Sequence, residues 1–190
     1  MTTSARAAGT RTSLLTAARS VFTESGFAEA SIAEVVGRAG ASVGSLYHHF
    51  GGKAELYLAL FEEYQGGQEV RAAMAVRAAR AEGETDPLVL FVIGGRSYLD
   101  GCWEKRDLAR LFLAGGGPPG FELLARARYR AWTRRNALLL GTESEFGDAL
   151  VLVLTTVISE AGHEVAVCED EESAMRLADN VLGLVEKIGR

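Results

Sequence analysis

Histidine, cysteine and long apolar runs are all scarce in this chain, and each shortage closes off a class of function. His48 and His49 are adjacent, His163 is remote, and His163-Glu164 lacks the second histidine of a zinc-binding helix. No metal-ligand set or nucleophile constellation is legible, so neither an enzyme nor a cofactor is expected. Cys102 and Cys168 stand far apart, which points to free thiols rather than a disulfide framework or a metal site. Only Lys105 and Arg106 lie near Cys102 in sequence, too little to argue for a reactive thiolate. The longest apolar stretch, residues 149–158, is broken by Thr155 and Thr156 and falls short of the roughly 18 residues a membrane helix needs. The N-terminal MTTSARAAGTRT lacks the hydrophobic core of a secretory signal. A cytoplasmic protein with no membrane partner is the expectation.

Positive charge is in short supply as well, with 20 Lys and Arg against 25 Asp and Glu and a net charge of −5. Its distribution is uneven. Residues 1–53 hold five basic and three acidic side chains, a net +2, whereas 54–190 hold fifteen and twenty-two, a net −7. A hydrophobic content of 48% excludes a disordered chain. At 190 residues the chain is long enough for a head of about 50 residues and a larger body that buries its own core. No strand alternation and no internal repeat appear, so the fold class expected is all-α, with about nine helices.

The richest segment runs from Ser31 to Leu56, SIAEVVGRAGASVGSLYHHFGGKAEL. Ser31 followed by Glu34 makes a capping box, and Ile32, Val35 and Val36 recur at helical spacing. Ala39-Gly40 supplies a glycine stop. Ser42 then caps a second short helix, Val43 to Phe50. A wheel puts Val43, Leu46 and Phe50 on one stripe and Gly44, Ser45 and His48 opposite, with Tyr47 at the border. A small, polar outer face suits a helix whose first residues enter a major groove, and Gly44 permits close backbone approach. The hydroxyl of Tyr47 and the ring of His48 are candidates for phosphate contact, and Lys53, after the Gly51-Gly52 break, is expected to hold backbone phosphate at the next helix start. Two short helices, a tight turn and a third helix start in this order spell a helix-turn-helix; an ordinary helical hairpin is the alternative.

This segment resembles the DNA-binding domain of the tetracycline-repressor (TetR) family of transcriptional regulators, specifically over about residues 10–60 and in the remainder by length and helical layout. The resemblance implies that Ser45 to Phe50 lie in the recognition helix, that Lys53 is the lysine at the head of the fourth helix, and that Ser31 is the phosphate-contacting hydroxyl at the start of the second. Ser42 and Val43 fall just before the recognition glycine. Two departures stand out. Val43 occupies a position where many relatives place a polar or basic residue, so it either meets a thymine methyl or joins the core, and Gly51-Gly52 replaces a stiffer pair.

Elsewhere the pattern predicts a flexible arm over residues 1–9 bearing Arg6, then a helix from about Thr10 to Ser25 with Leu14, Ala18, Val21 and Phe22 on one stripe and a stop at Gly26. A long helix from Lys53 to about Ala81 follows. Asp86 caps a helix with Pro87 at its first position, covering Leu88 to Trp103 and continuing through a bend as Asp107 to Leu113. GGGPPG at 115–120 is a loop, with no Gly-Lys-Ser/Thr to make it a phosphate-binding one. Phe121 to Leu140 is an arginine-dense helix, read either as lining an anionic ligand's pocket or as a solvated face paired with acids. Thr142 and Glu145 box a helix over 146–162, and Asp170 caps a last one over 171–188.

The domain division expected is 1–53 for DNA binding and 54–190 for effector binding and dimerisation. Aromatic residues flanking the glycine-rich loop give candidate effector contacts: Tyr98, Trp103, Phe112, Phe121, Tyr129 and Trp132, with Arg128. The last two helices, apolar on more than one side, give candidate dimerisation residues: Leu150, Val153, Leu154, Val157, Ile158, Leu177, Val181, Leu182 and Val185. The resemblance implies a homodimeric repressor on a near-palindromic double-stranded DNA operator, released by a small-molecule effector. The rival reading is a helical interaction protein with an idle head.

Overall fold

Helix ends and apolar stripes account for the architecture. The structure, a computed structural model, describes residues 3–113, 116–141 and 147–190. Among these residues it has nine helices and no strand: α1 Thr3–Glu29, α2 Ile32–Ala39, α3 Val43–Phe50, α4 Lys53–Ala81, α5 Pro87–Glu104, α6 Arg106–Leu113, α7 Phe121–Leu140, α8 Gly147–Val167 and α9 Glu171–Gly189. The chain forms two compact units, the first of residues 1–65 with 111–122, the second of 66–110 with 123–190.

In the first unit, α1 begins at Thr3 rather than Thr10, so the arm expected over residues 1–9 is helical from its third residue. Alanine and arginine in SARAAG are strong helix formers, and nothing there stops the helix. Gly26 still interrupts it, at φ 74° and ψ 173°, where an L side chain would be strained. Leu14, Ala18, Val21 and Phe22 are fully buried, as their spacing predicts. Also buried in this unit are Val35 and Val36 of α2, Leu46 and Phe50 of α3, and Leu56, Tyr57, Leu60 and Phe61 of α4.

Aromatic rings finish that core. The Tyr57 ring stands edge-on to Phe22 (5.3 Å), Phe27 (5.2 Å), Phe112 (5.4 Å) and Phe121 (5.3 Å), and Phe61 does the same to Phe112 (5.1 Å) and Phe121 (4.9 Å). Such T-shaped pairs set the positive ring edge against the negative face of the neighbour. Burial pushes the Tyr57 hydroxyl up to about 12. Phe112 and Phe121, expected from sequence among the effector contacts, therefore pack with Tyr57 and Phe61 in the first unit. Gly117 makes room for the Phe121 ring, which would come within 2.7 Å of a Cβ there.

In the second unit, α5, α8 and α9 pack mutually. Phe91, Leu99 and Cys102 of α5 meet Leu154, Ile158 and Val165 of α8 and Ala178, Leu182 and Val185 of α9. Ion pairs tie the surface: Arg96 of α5 to Asp179 of α9, Arg71 of α4 to Glu104 of α5 (2.5 Å), and Glu69 of α4 to Arg135 of α7 (2.5 Å). Asp86 caps α5 by accepting from the amides of Leu88 (2.8 Å) and Val89 (3.3 Å), and Asp170 caps α9 by accepting from Ser173 (2.8 Å). The expected Thr142–Glu145 box and Phe146 lie outside the described residues.

Helix α8 departs from expectation twice. It is 21 residues long and holds an 18-residue window with a mean hydropathy of 1.5, enough by length and composition to cross a membrane. Its buried stripe of Val151, Leu154, Ile158, Ala161 and Val165 nevertheless packs on α5 and α9, as in a core helix. It also runs through Gly162, the expected stop, to Val167. Gly162 serves packing instead: a Cβ there would meet Tyr98 at 2.7 Å and Cys102 Sγ at 3.0 Å.

Gly162→Ala is expected to destabilise the protein by about 1–3 kcal/mol through overpacking. Gly66→Ala, mid-helix with nothing within 4 Å of the new Cβ, should stabilise it by about 0.5–1 kcal/mol. Thermal unfolding of the two variants should thus move in opposite directions. Phe121→Ala should cost about 3–5 kcal/mol in denaturant unfolding, as for a buried core ring; a loss under about 1 kcal/mol would remove Phe121 from the core.

Candidate nucleic-acid interface

The entry to α2 is Ser31, held extended at φ −113° and ψ 144°, with its hydroxyl accepting from the Glu34 amide at 3.1 Å. Only that half of the capping box forms in the side chains. The Glu34 carboxylate instead accepts from Arg38 (2.7 Å), whose guanidinium also forks onto both carboxylate oxygens of Glu24 in α1 (2.6 Å each). Those hydrogen bonds hold the Glu24 carboxyl below its ordinary range and push Arg38 up. Helix α2 closes at Gly40, left-handed at φ 62°, with Ala41 N–H donating to Val36 O (3.0 Å). Ser42 then opens α3 by accepting from the Ser45 amide at 3.1 Å. A serine hydroxyl that accepts from an amide keeps its own hydrogen. Ser31 and Ser42 are both exposed, so each keeps a hydroxyl donor at the surface.

On α3, Leu46 and Phe50 face the core, while Gly44, Tyr47 and His48 are open to solvent. Ser45 is half-buried. Val43 is 47% exposed although the wheel sets it close to the buried stripe, because it lies in the first turn, before Leu46 anchors the helix. Val43, Gly44, Tyr47 and His48 therefore share one open arc, about 140° wide at 100° per residue. It combines a methyl-bearing side chain, a bare backbone, a phenol and an imidazole.

Lys53 is placed differently from the expectation. Its ammonium donates to three backbone carbonyls beyond the Gly26 break: Phe27 (2.8 Å), Ala28 (3.0 Å) and Ala30 (2.9 Å). It also stands 4.6 Å from the centre of the Phe27 ring. An ammonium has three donors, and all three are spent. In this geometry Lys53 satisfies orphan carbonyls at the end of α1.

In the second unit, Tyr98, Trp132 and Tyr129 form an aromatic group, Tyr98 to Trp132 at 4.9 Å and Tyr129 to Trp132 at 6.5 Å. Beside it, Tyr129 Oη and Thr156 Oγ1 share a hydrogen bond (2.7 Å), and Asn136 Nδ2 donates to Thr155 Oγ1 (3.0 Å). Asn136 and Thr155 are buried, as is Gln68, whose Nε2 donates to Cys102 Sγ at 3.3 Å. Sequence reading passed over all three, though a polar residue inside an apolar helical stripe was a signal available to it. Trp103 is buried under the Arg106 guanidinium (4.4 Å), and Arg128 is half-buried. A separate cavity of about 190 Å³ is lined by Pro87, Leu88, Leu140, Leu150, Val151 and Leu154. Among the described residues no group of three or more His, Cys, Asp or Glu gathers as for a metal.

The expected dimerisation residues separate by burial. Leu154, Ile158 and Val185 are fully buried and Leu182 is 7% exposed, so these four fill the core of their own unit. The stripe i, i+4 through Leu154 and Ile158 faces α5 and α9, and the outer face begins one residue earlier. Val153 is 46% exposed, Leu150, Val157, Leu177 and Val181 are half-buried, and Leu152, Leu184 and Ile188 are open.

Residues 14–60 match the family described as bacterial regulatory proteins, tetR family. Over 136 residues the chain is 30% identical to the A-factor receptor protein of Streptomyces griseus, spanning 67% of this chain and 45% of that one. Over 79 residues it is 35% identical to the HTH-type transcriptional regulator TtgR of Pseudomonas putida, spanning 42% of this chain and 36% of that one. The chain thus spans less than half the length of these curated relatives. A TetR-family transcriptional regulator of Pectobacterium atrosepticum shares the fold along nearly the whole length, at 24% identity, a TM-score of 0.66, and coverage of 98% of this chain and 95% of that one. The capped α2–α3 pair lies inside the matched segment, and residues 14–60 of this chain belong to the TetR family of bacterial regulatory proteins.

Proposed function

We propose that this protein is a DNA-binding transcriptional regulator that represses as a homodimer on a near-palindromic operator and is released by a small molecule. One observation carries the reading: α2 and α3, each opened by an exposed serine cap, present the open arc Val43, Gly44, Tyr47 and His48 within the segment matched to the tetR family. The arc supplies the edge that enters the major groove, with Val43 against a thymine methyl, and Tyr47 and His48 within reach of bases or phosphates. Ser31 and Ser42 donate to phosphates on either side, and Ser45, half-buried, tunes the approach. Residues 1–53 serve DNA binding and 54–190 effector binding and self-association.

For the effector, the supporting features are the Tyr98–Trp132–Tyr129 group and its polar neighbours Asn136, Thr155 and Thr156, with Trp103 and Arg128 as further candidates. They suit a largely apolar ligand carrying a hydrogen-bonding group. The receptor named among the relatives accords with a ligand-responsive role. Coupling of about 1–3 kcal/mol between ligand and operator is enough for regulation. The dimer face is Leu150, Leu152, Val153 and Val157 of α8 with Leu177, Val181, Leu184 and Ile188 of α9, of which Leu152, Val153, Leu184 and Ile188 are each about half exposed and suit burial against a second copy.

Selection of random duplexes by the purified protein should recover a near-palindrome whose half-sites lie roughly 34–36 Å apart, one turn of DNA. Failure to enrich any duplex, at low salt included, would turn the weight to a helical interaction protein with an idle head. Val153→Glu should weaken the dimer at least about tenfold, read by sedentation equilibrium as a monomer at concentrations where the parent is dimeric; an unchanged mass would exclude this face.

A further inference from the structure

Residues 1–53 carry five cations, Arg6, Arg11, Arg19, Arg38 and Lys53, and the fold has already committed several of them. Arg38 is forked onto Glu24 and bonded to Glu34. Arg19 is half-buried and engaged, and Lys53 has given its three donors to the carbonyls of Phe27, Ala28 and Ala30. Arg11 is different. It is exposed, its guanidinium carbon lies 5.1 Å from the centre of the Phe50 ring, and among the described residues no acid pairs with it. A guanidinium stacked by its face keeps its N–H edges free, and their fork matches phosphate oxygens. Phe50 ends α3, an eight-residue helix about 12 Å long. The Arg11 charge is thus pinned to the same short helix that bears the open arc.

We propose that Arg11, and not Lys53, makes a charged contact with the DNA backbone, and that Lys53 is a positioning residue joining the end of α1, the chain entering α2 and the start of α4. This rests on the DNA-binding reading above. Without the ammonium, three carbonyls immediately before Ser31 lose their partner, and the path that sets the Ser31 cap is freed. The consequence is a displaced contact surface with no loss of a phosphate neutralised.

Salt titration separates the two roles, since each neutralised phosphate adds about 0.9 to the slope of log affinity against log salt. The probe is a labelled random-sequence duplex, titrated at several salt concentrations against the parent protein, Arg11→Gln and Lys53→Met, at a temperature where all three are folded. Arg11→Gln is expected to take about 0.9 off the slope per subunit bound with unfolding unchanged. Lys53→Met is expected to bind more weakly with the parent's slope, and to unfold roughly 4–8 °C earlier without DNA, the shift of about 1 kcal/mol in a small unit. A reduced slope in Lys53→Met with an unchanged one in Arg11→Gln overturns the assignment. Absence of salt-dependent binding by the parent overturns the DNA reading and Arg11's role with it. An unchanged unfolding temperature in Lys53→Met overturns the positioning role by itself, and if Lys53→Met does not fold, the Arg11→Gln slope still decides the phosphate contact.

Discussion

Closing the ends of short helices is the constraint on which the head depends. Eight residues form too few backbone bonds to stand as an isolated helix in water, and both α2 and α3 are that long. They persist because Ser31 and Ser42 take up amides at their starts, Gly40 turns the chain at the end of α2, and Val35, Val36, Leu46 and Phe50 are buried. Remove the caps and the orphan amides compete with burial; remove the burial and the caps hold nothing in place. The open arc of α3 is what remains uncovered once both demands are met.

Polar groups inside the protein follow the same economy. Lys53 is the clearest case, a cation placed where a helix ends in unsatisfied carbonyls rather than where solvent is free. Asn136 with Thr155, and Gln68 with Cys102, pair buried polar atoms that would each be costly alone. On the outside, arginines fork onto acids of neighbouring helices, Arg38 to Glu24 and Arg71 to Glu104. Exposed pairs of this kind add little stability individually, and their weight is in orientation.

Small residues set how closely the helices of the second unit approach. A Cβ at Gly95 would meet Ile158 at 3.1 Å and Leu182 at 3.3 Å, and one at Gly101 would collide with Gln68 Oε1. With Gly162 against Tyr98 and Cys102, these positions admit side chains from the facing helix into space that an alanine would fill. A glycine in a helix interior costs propensity, so its presence there marks close packing as firmly as a glycine at a turn marks positive φ.

Local signals were legible directly: the Ser31, Ser42, Asp86 and Asp170 caps, the Gly40 turn, Pro87 at a helix start, and the buried stripe of α1 are each fixed by bonds or sterics within a few residues. Where several helix faces are apolar, periodicity does not say which one turns inward, and so Leu154, Ile158, Leu182 and Val185 went to the core while Val153 stayed outside. Aromatic residues near one loop divided between two units, Phe112 and Phe121 joining Tyr57 and Phe61 while Tyr98 joined Trp132, since contacts between rings are long-range in sequence. Lys53 was visible as a cation at a helix start, yet its partners lie 23 to 26 residues earlier. The sequence by itself determined the helices, their caps and the family likeness, because these depend on neighbours along the chain; the tertiary structure alone decided which faces are buried and which charges remain free, because those depend on neighbours in space.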